Sequence, residues 1–198
     1  MSLNSTFSLT AALCVLFSIQ AKADDANLYA AAAPDDASFV RFVGFDGETA
    51  AEFAGKTFQL STEDHTAYMP VSSSLLTNIP VGRYVTVLRS KIGQPMVVTE
   101  GARDTRSKVF LFLINGTKTP LDLRLADNSA TVIDAIGYGH AGQRGVNPVA
   151  VQLGVFADGE QTPLETFDVT LKRGQNMSFV ADDSGIRLIE NHFGPVAK

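Results

Sequence analysis

The chain of 198 residues has no tryptophan, three histidines and one cysteine. Each scarcity excludes something. A carbohydrate module of the usual kind stacks sugars on indole rings, and here none is present. His65, His140 and His192 stand apart, with no His-x-His or His-x-x-x-His spacing, whereas a metal needs three or four converging ligands. Cys14 sits within an apolar run near the N-terminus; once that run is removed, neither a disulfide nor a thiol nucleophile is available. Positive charge is also short. Sixteen Lys and Arg face 21 Asp and Glu, a formal charge of −5, which argues against a nucleic-acid binder, since that needs a basic stripe to displace counterions.

The apolar run, residues 9–19, is followed by Ala21-Lys22-Ala23, small residues at the positions a signal peptidase requires. The run is too short to span a bilayer, which takes about 20 residues. Residues 1–23 therefore read as a signal peptide cleaved between Ala23 and Asp24. Export without disulfides fits a bacterial periplasm better than a small secreted domain that staples its core.

What remains is rich in strands. Hydrophobic residues make up 45% and charged ones 19%, enough to bury a core. Residues 24–37, Ala- and Asp-rich, read as an extended leader. From there the chain alternates β-prone runs with turn signals about ten residues apart, the spacing of a β-sandwich. Phe39-Val40-Arg41-Phe42-Val43 is the first such run. Thr57 to Leu60, Ala67 to Val71, Arg83 to Leu88 and Met96 to Thr99 follow. No stretch in 38–100 keeps a helical period beyond two turns.

A short charged segment, 100–107, separates a second set. Val109 to Ile114 is continuously apolar, the signature of a central strand buried on both faces. Leu121, Leu123 and Leu125 alternate with Asp122 and Arg124, as in a half-exposed strand. Val149, Val151, Leu153 and Val155 alternate likewise, opened by Pro148 and stopped by the Asp158-Gly159 turn. Strands at 131–133, 167–171, 177–181 and 185–189 complete seven. Gly137, Gly139, Gly142 and Gly145 mark a long loop. The expected fold is all-β: two small β-sandwich, immunoglobulin-like domains, 38–104 and 105–198. The halves share an aromatic-rich opening strand but show no internal repeat.

Chemistry-bearing patterns are sparse. Ser72-Ser73-Ser74 with Asp64-His65 is the nearest approach to a serine triad, and it lies in a polar turn. The acidic pairs Asp24-Asp25, Asp35-Asp36 and Asp182-Asp183 lack the alternating oxygen ligands of a calcium loop. Gly137-x-Gly139-x-x-Gly142 opens no helix, so phosphate cradling is unsupported. Arginine forks match carboxylates, which makes Arg41, Arg83, Arg124 and Arg144 candidate contacts for a polyuronate or a partner, with the four tyrosines Tyr29, Tyr68, Tyr84 and Tyr138 beside them. The competing reading puts those arginines at solvent-facing strand positions. No catalytic residue, cofactor or metal is implied.

One further likeness runs along the chain. Asp24-Asp25-Ala26-Asn27-Leu28-Tyr29, Ala33-Pro34 and Ser38-Phe39-Val40-Arg41-Phe42 resemble the mature start of the alginate biosynthesis protein AlgF family. Ile79-Pro80-Val81-Gly82-Arg83-Tyr84 agrees with it, as do the run from Arg106 to Asn115 and Arg144 with Val146-Asn147-Pro148-Val149. Gly44-Phe45-Asp46-Gly47 departs from the Asn-rich turn expected there. The resemblance implies a periplasmic component of alginate O-acetylation, built of two β-sandwiches. It also implies that catalysis belongs to a membrane-bound O-acyltransferase and to periplasmic SGNH-type acetyltransferases with Ser-His-Asp triads. The role implied for this chain is a non-catalytic adaptor. Polymannuronate binding and an acetyl-carrying enzyme are the alternatives.

Overall fold

The computed structural model describes residues 32–61, 64, 66–89, 94–103 and 107–197. Ala21, Ala23, Asp24 and the first part of the leader lie outside them, as does His65. Residues 31–198 form one compact unit. Among the described residues the first set of strands is β1 (Ala37–Val43), β2 (Ala50–Phe53), β3 (Lys56–Gln59), β4 (Met69–Ser72), β5 (Tyr84–Leu88) and β6 (Met96–Glu100). The second is β7 (Val109–Asn115), β8 (Leu121–Leu125), β9 (Thr131–Ile136), β10 (His140–Val146), β11 (Ala150–Ala157), β12 (Glu165–Thr170), β13 (Asn176–Asp182) and β14 (Gly185–Glu190). The serine run forms only a short 3-10 turn, Ser73–Leu75. The protein is all-β.

The strands stack in layers. Sheet β4-β1-β5-β6 turns one face, through Val40, Phe42, Val85 and Val87, onto the β2–β3 hairpin, where Phe45, Ala51 and Phe58 complete a core. Its other face meets sheet β10-β7-β13-β14: Val43, Leu88 and Val98 pack on Ile114, Val180 and Ile189. That second sheet presents Val109, Leu111, Leu113 and Phe179 to sheet β12-β11-β8-β9, closing the largest core. The period-two rule explains the division, because odd and even positions of β7 serve different neighbours. All seven residues of β7 are buried, as its continuous apolar run requires. Among the described residues no sheet mixes strands from the two sets.

The two sheets that face each other share one plan. β1 pairs antiparallel with β4 and parallel with β5, which pairs antiparallel with β6. β7 pairs antiparallel with β10 and parallel with β13, which pairs antiparallel with β14. Sequence showed no repeat, yet strand order and polarity recur.

Three expectations need correction. The glycine-rich stretch is a strand, β10, making the second set eight strands. Its Gly142 lies where the chain passes β9: a Cβ there would sit 2.6 Å from Ile133 Cγ2 and closer still to Ile136 Cδ1. Glycine marks close approach here, not a break. Asp122 is buried, because its carboxylate accepts the Ala135 amide at 2.6 Å and pairs with Arg124. In β11 the expected apolar set is buried only from Leu153 on, and there the alternation gives way to burial of both faces. Val149 is exposed, whereas Gly154 and Phe156 are covered on the opposite face, Phe156 beneath the Arg124 guanidinium at 5.0 Å.

Candidate functional site: a buried ionic seam and its flanks

Between the two central sheets the apolar packing gives way, at one end, to charge. Arg41 on β1 follows its strand's alternation onto the inner face with Phe39 and Val43, and so is wholly buried. Its Nε donates to Thr86 Oγ1 at 2.7 Å, and its Nη1 to Asn191 Oδ1 at 2.7 Å. Nη2 donates to Ser178 Oγ at 2.9 Å and lies 3.4 Å from Glu100 Oε1. The guanidinium also rests 4.4 Å from the centre of the Tyr68 ring. Five segments of backbone converge on one side chain.

Glu100, at the end of β6, is the only carboxylate among the described members of this cluster, and it too is buried. Thr86 donates its hydroxyl to Oε1, and the Tyr68 hydroxyl lies 2.7 Å from both carboxylate oxygens. Arg103 Nη2 donates to Oε2 at 3.0 Å and to Tyr68 Oη at 2.8 Å. Arg103 lies over Tyr84 at 3.7 Å and Phe112 at 4.5 Å. Burial and the neighbouring Glu100 carboxylate hold the Tyr68 phenol far above its ordinary value, so it stays a neutral donor. Two guanidiniums thus share one carboxylate, and Arg103 Nη1 and Asn191 Nδ2 are buried without a partner.

The C-terminal tail closes the seam. Beyond β14, Tyr68 N donates to His192 O and Gly194 N to Tyr68 O, a parallel bridge pairing Tyr68 with Phe193. Ala197 N reaches Pro70 O at 2.8 Å. Phe193 remains 58% exposed and meets Phe39 edge-on at 5.3 Å.

The sequence-derived contacts are dispersed. Arg41 is not a surface group at all: its hydrogen-bond partners lie 45 to 150 residues away in the chain, so no local pattern reveals them. The signal available was its position between apolar same-face neighbours. Tyr84 is half-buried, stacked on Phe39 at 4.6 Å with Arg103 against its ring. Arg144 lies exposed on β10. Arg83 is exposed, while Arg124 is half-buried and bonded to Asn128 and the Glu160 carbonyl. Tyr138, 53% exposed in the β9–β10 turn, flanks a cavity of about 370 Å³ with Leu88, Arg89, Met96 and Lys118. Tyr68 was a candidate ring for a polyuronate and is instead buried in the seam; Thr86, Glu100, Arg103, Ser178 and Asn191 escaped sequence reasoning.

Asp24-Asp25 lies outside the described residues, and the other two acidic pairs serve turns. Asp36 accepts the Ser72 hydroxyl and the Ser74 amide. Asp182 accepts the Ser184 amide and pairs with Arg187 at 2.8 Å. His140 faces the Tyr138 carbonyl, and His192 lies between Asp64 and the Glu190 carbonyl. Among the described residues, no three His, Cys, Asp or Glu groups lie close enough to hold a metal.

Fold and seam define an all-β protein whose converging polar groups bind its own sheets together. The comparisons with known proteins place it more narrowly. A family model described as "Alginate O-acetyl transferase AlgF" matches residues 10–178, and the chain belongs to that family. It is 27% identical to an "Alginate biosynthesis protein AlgF" of Pseudomonas fluorescens, over 92% of this chain and 89% of that one. Similar proteins of the same description from Azotobacter vinelandii and Pseudomonas aeruginosa are each 28% identical; the matches cover 77% and 85% of this chain and 76% and 83% of theirs. A structure of the C-terminal domain of AlgF from P. aeruginosa is 24% identical with a TM-score of 0.35, covering 46% of this chain and 99% of that one.

Proposed function

We propose that this protein is a non-catalytic periplasmic adaptor required for O-acetylation of alginate. It binds the membrane-bound O-acyltransferase and the periplasmic SGNH-type acetyltransferases that carry the chemistry. Family membership over most of the chain supports the pathway, since the relatives are described as alginate biosynthesis proteins. The observation that carries the adaptor reading is the seam. Its hydroxyls, from Thr86, Ser178 and Tyr68, are bonded to Arg41, Glu100, Arg103 and Asn191. Both described histidines face carbonyl or carboxylate oxygens, not a hydroxyl to be activated. Groups held this way stabilise the fold.

The export step rests on residues 9–23, and the boundary between domains 38–104 and 105–198 on the absence of shared sheets. The test is capture from periplasm together with detergent-solubilised membranes. The mature chain recovers an acetylation enzyme; recovery of none refutes the adaptor. Polymannuronate binding has one observation in its favour, the exposed Tyr138 beside a cavity bearing Arg89 and Lys118. A flat calorimetric titration with mannuronate oligomers removes that alternative.

A further inference from the structure

The outermost sheet, β12-β11-β8-β9, closes against its neighbour on one side only. There β9 meets β10 so tightly that Gly142 has no room for a Cβ. On the other side the edges are β12 and β14. Among the described residues β12 has a strand neighbour on one flank only, and five of its six residues are exposed or half-exposed with Val169 alone buried. An unpaired edge is a template for another strand unless something guards it. β12 reads Glu165-Thr166-Phe167-Asp168-Val169-Thr170, so its guards are two acidic side chains, which repel another acidic strand and leave the edge open to a basic one.

At the start of this edge, between the two sheets, lies a cavity of about 380 Å³. Leu121, Ala157, Leu164 and Ile186 supply apolar wall, while Thr119 and Glu165 sit among its lining. Leu164 is 57% exposed, a large apolar side chain left facing water. The side chains offering charge along β12 are Glu165 and Asp168, both exposed and both acidic. A free edge, an apolar cavity opening beside it and charge of one sign define a docking surface for an extended chain.

We propose that the β12–β14 seam binds an extended, basic segment of a partner protein. That segment adds to the β12 edge, seats one apolar side chain in the Leu164 cavity, and sets lysine or arginine beside Glu165 and Asp168. This deepens the adaptor reading and rests on it for the partner's identity. A second copy of the chain suits the surface poorly. Pairing two β12 edges brings acidic strands together, and like charges across a strand pair destabilise it.

The test uses the mature full chain and a short capped peptide of leucine or valine with two lysines three residues apart, one for each face of the strand, beside a twin carrying glutamate for lysine. Amide spectra of β12 shift with the lysine peptide and remain still with the glutamate twin. Glu165→Lys with Asp168→Lys reverses that preference, and Leu164→Asp weakens binding by about tenfold or more, the loss expected when a charge faces an apolar anchor. Val81→Asp, an exposed residue in the turn before β5, changes nothing. Equal response to both peptides, or shifts confined to other strands, overturns the proposal. So does concentration-dependent dimerisation abolished by Leu164→Asp, which assigns the seam to a second copy. If wild-type chain captures an acetylation enzyme and the triple variant captures it equally, the adaptor stands and this seam falls. If peptide binding follows the pattern but no enzyme is captured, the seam stands and the adaptor falls.

Discussion

Replacing Glu100 by glutamine keeps the shape of the seam and removes its only described negative charge. Arg41 and Arg103 then face each other's field in the interior without a counter-ion, and Arg41 has no exposure through which to recover water. Breaking a buried pair by deleting one partner costs about 3–5 kcal/mol, a large share of a total stability of roughly 5–15 kcal/mol. With a urea slope of about 2 kcal/mol per molar, the midpoint of unfolding falls by roughly 1.5–2.5 M. Arg103→Gln provides the contrast. It leaves Arg41 and Glu100 as a balanced pair and loses the bonds to Glu100 and Tyr68 with the stacking on Tyr84 and Phe112, about 1.5–3 kcal/mol. Glu100→Gln should therefore be the more damaging. Equal losses in the two variants, or a Glu100→Gln loss below about 1 kcal/mol, would refute the charge argument.

Three further outcomes are expected. Tyr68→Phe removes a hydroxyl that touches both Glu100 oxygens and accepts from Arg103, so denaturation should show a loss of about 1.5–3 kcal/mol. Gly142→Val forces β10 off Ile133 and Ile136 and should cost about 1–3 kcal/mol, read as a lowered thermal midpoint. Ser129 holds the Asp127 carboxyl below its ordinary value of 3.8 by its hydroxyl and its amide, as Ser72 and Ser74 do for Asp36. Both folded values lie below the unfolded ones, so the stability they add is present above about pH 4 and fades as pH falls through the folded values. Stability measured from pH 5 to pH 2 should thus decline less steeply in Asp127→Asn with Asp36→Asn than in wild type.

Strands that bury whole faces were legible in the sequence because their periods survive any context. The apolar run of β7 predicts burial on both sides and has it. Short or glycine-bearing strands were not. β2, Ala-rich and four residues long, carries too little pattern, and β10 carries glycines that serve contact with β9. Contacts between distant segments were least accessible. Phe39-Val40-Arg41-Phe42-Val43 announces a strand, but whether Arg41 faces water depends on Glu100, Ser178 and Asn191, which no local window contains. Tyr84 and Tyr138 were selected for the chemistry of their rings; only the folded chain separates a ring packed between Phe39 and Arg103 from one left open beside a cavity.

The bridge from Tyr68 to Phe193 sets the order in which this molecule can be finished. A chain delivered from its N-terminus makes β1, β4, β5 and β6 early, yet Arg41 waits for Asn191, 150 residues downstream, before its last donors find acceptors. Until then the first half holds an unsatisfied guanidinium and an uncovered aromatic edge. Completion of that sheet therefore depends on the far end of the polypeptide, and a chain cut short after β14 would lack Asn191 and Phe193 and leave the first-made sheet, not the last, incomplete.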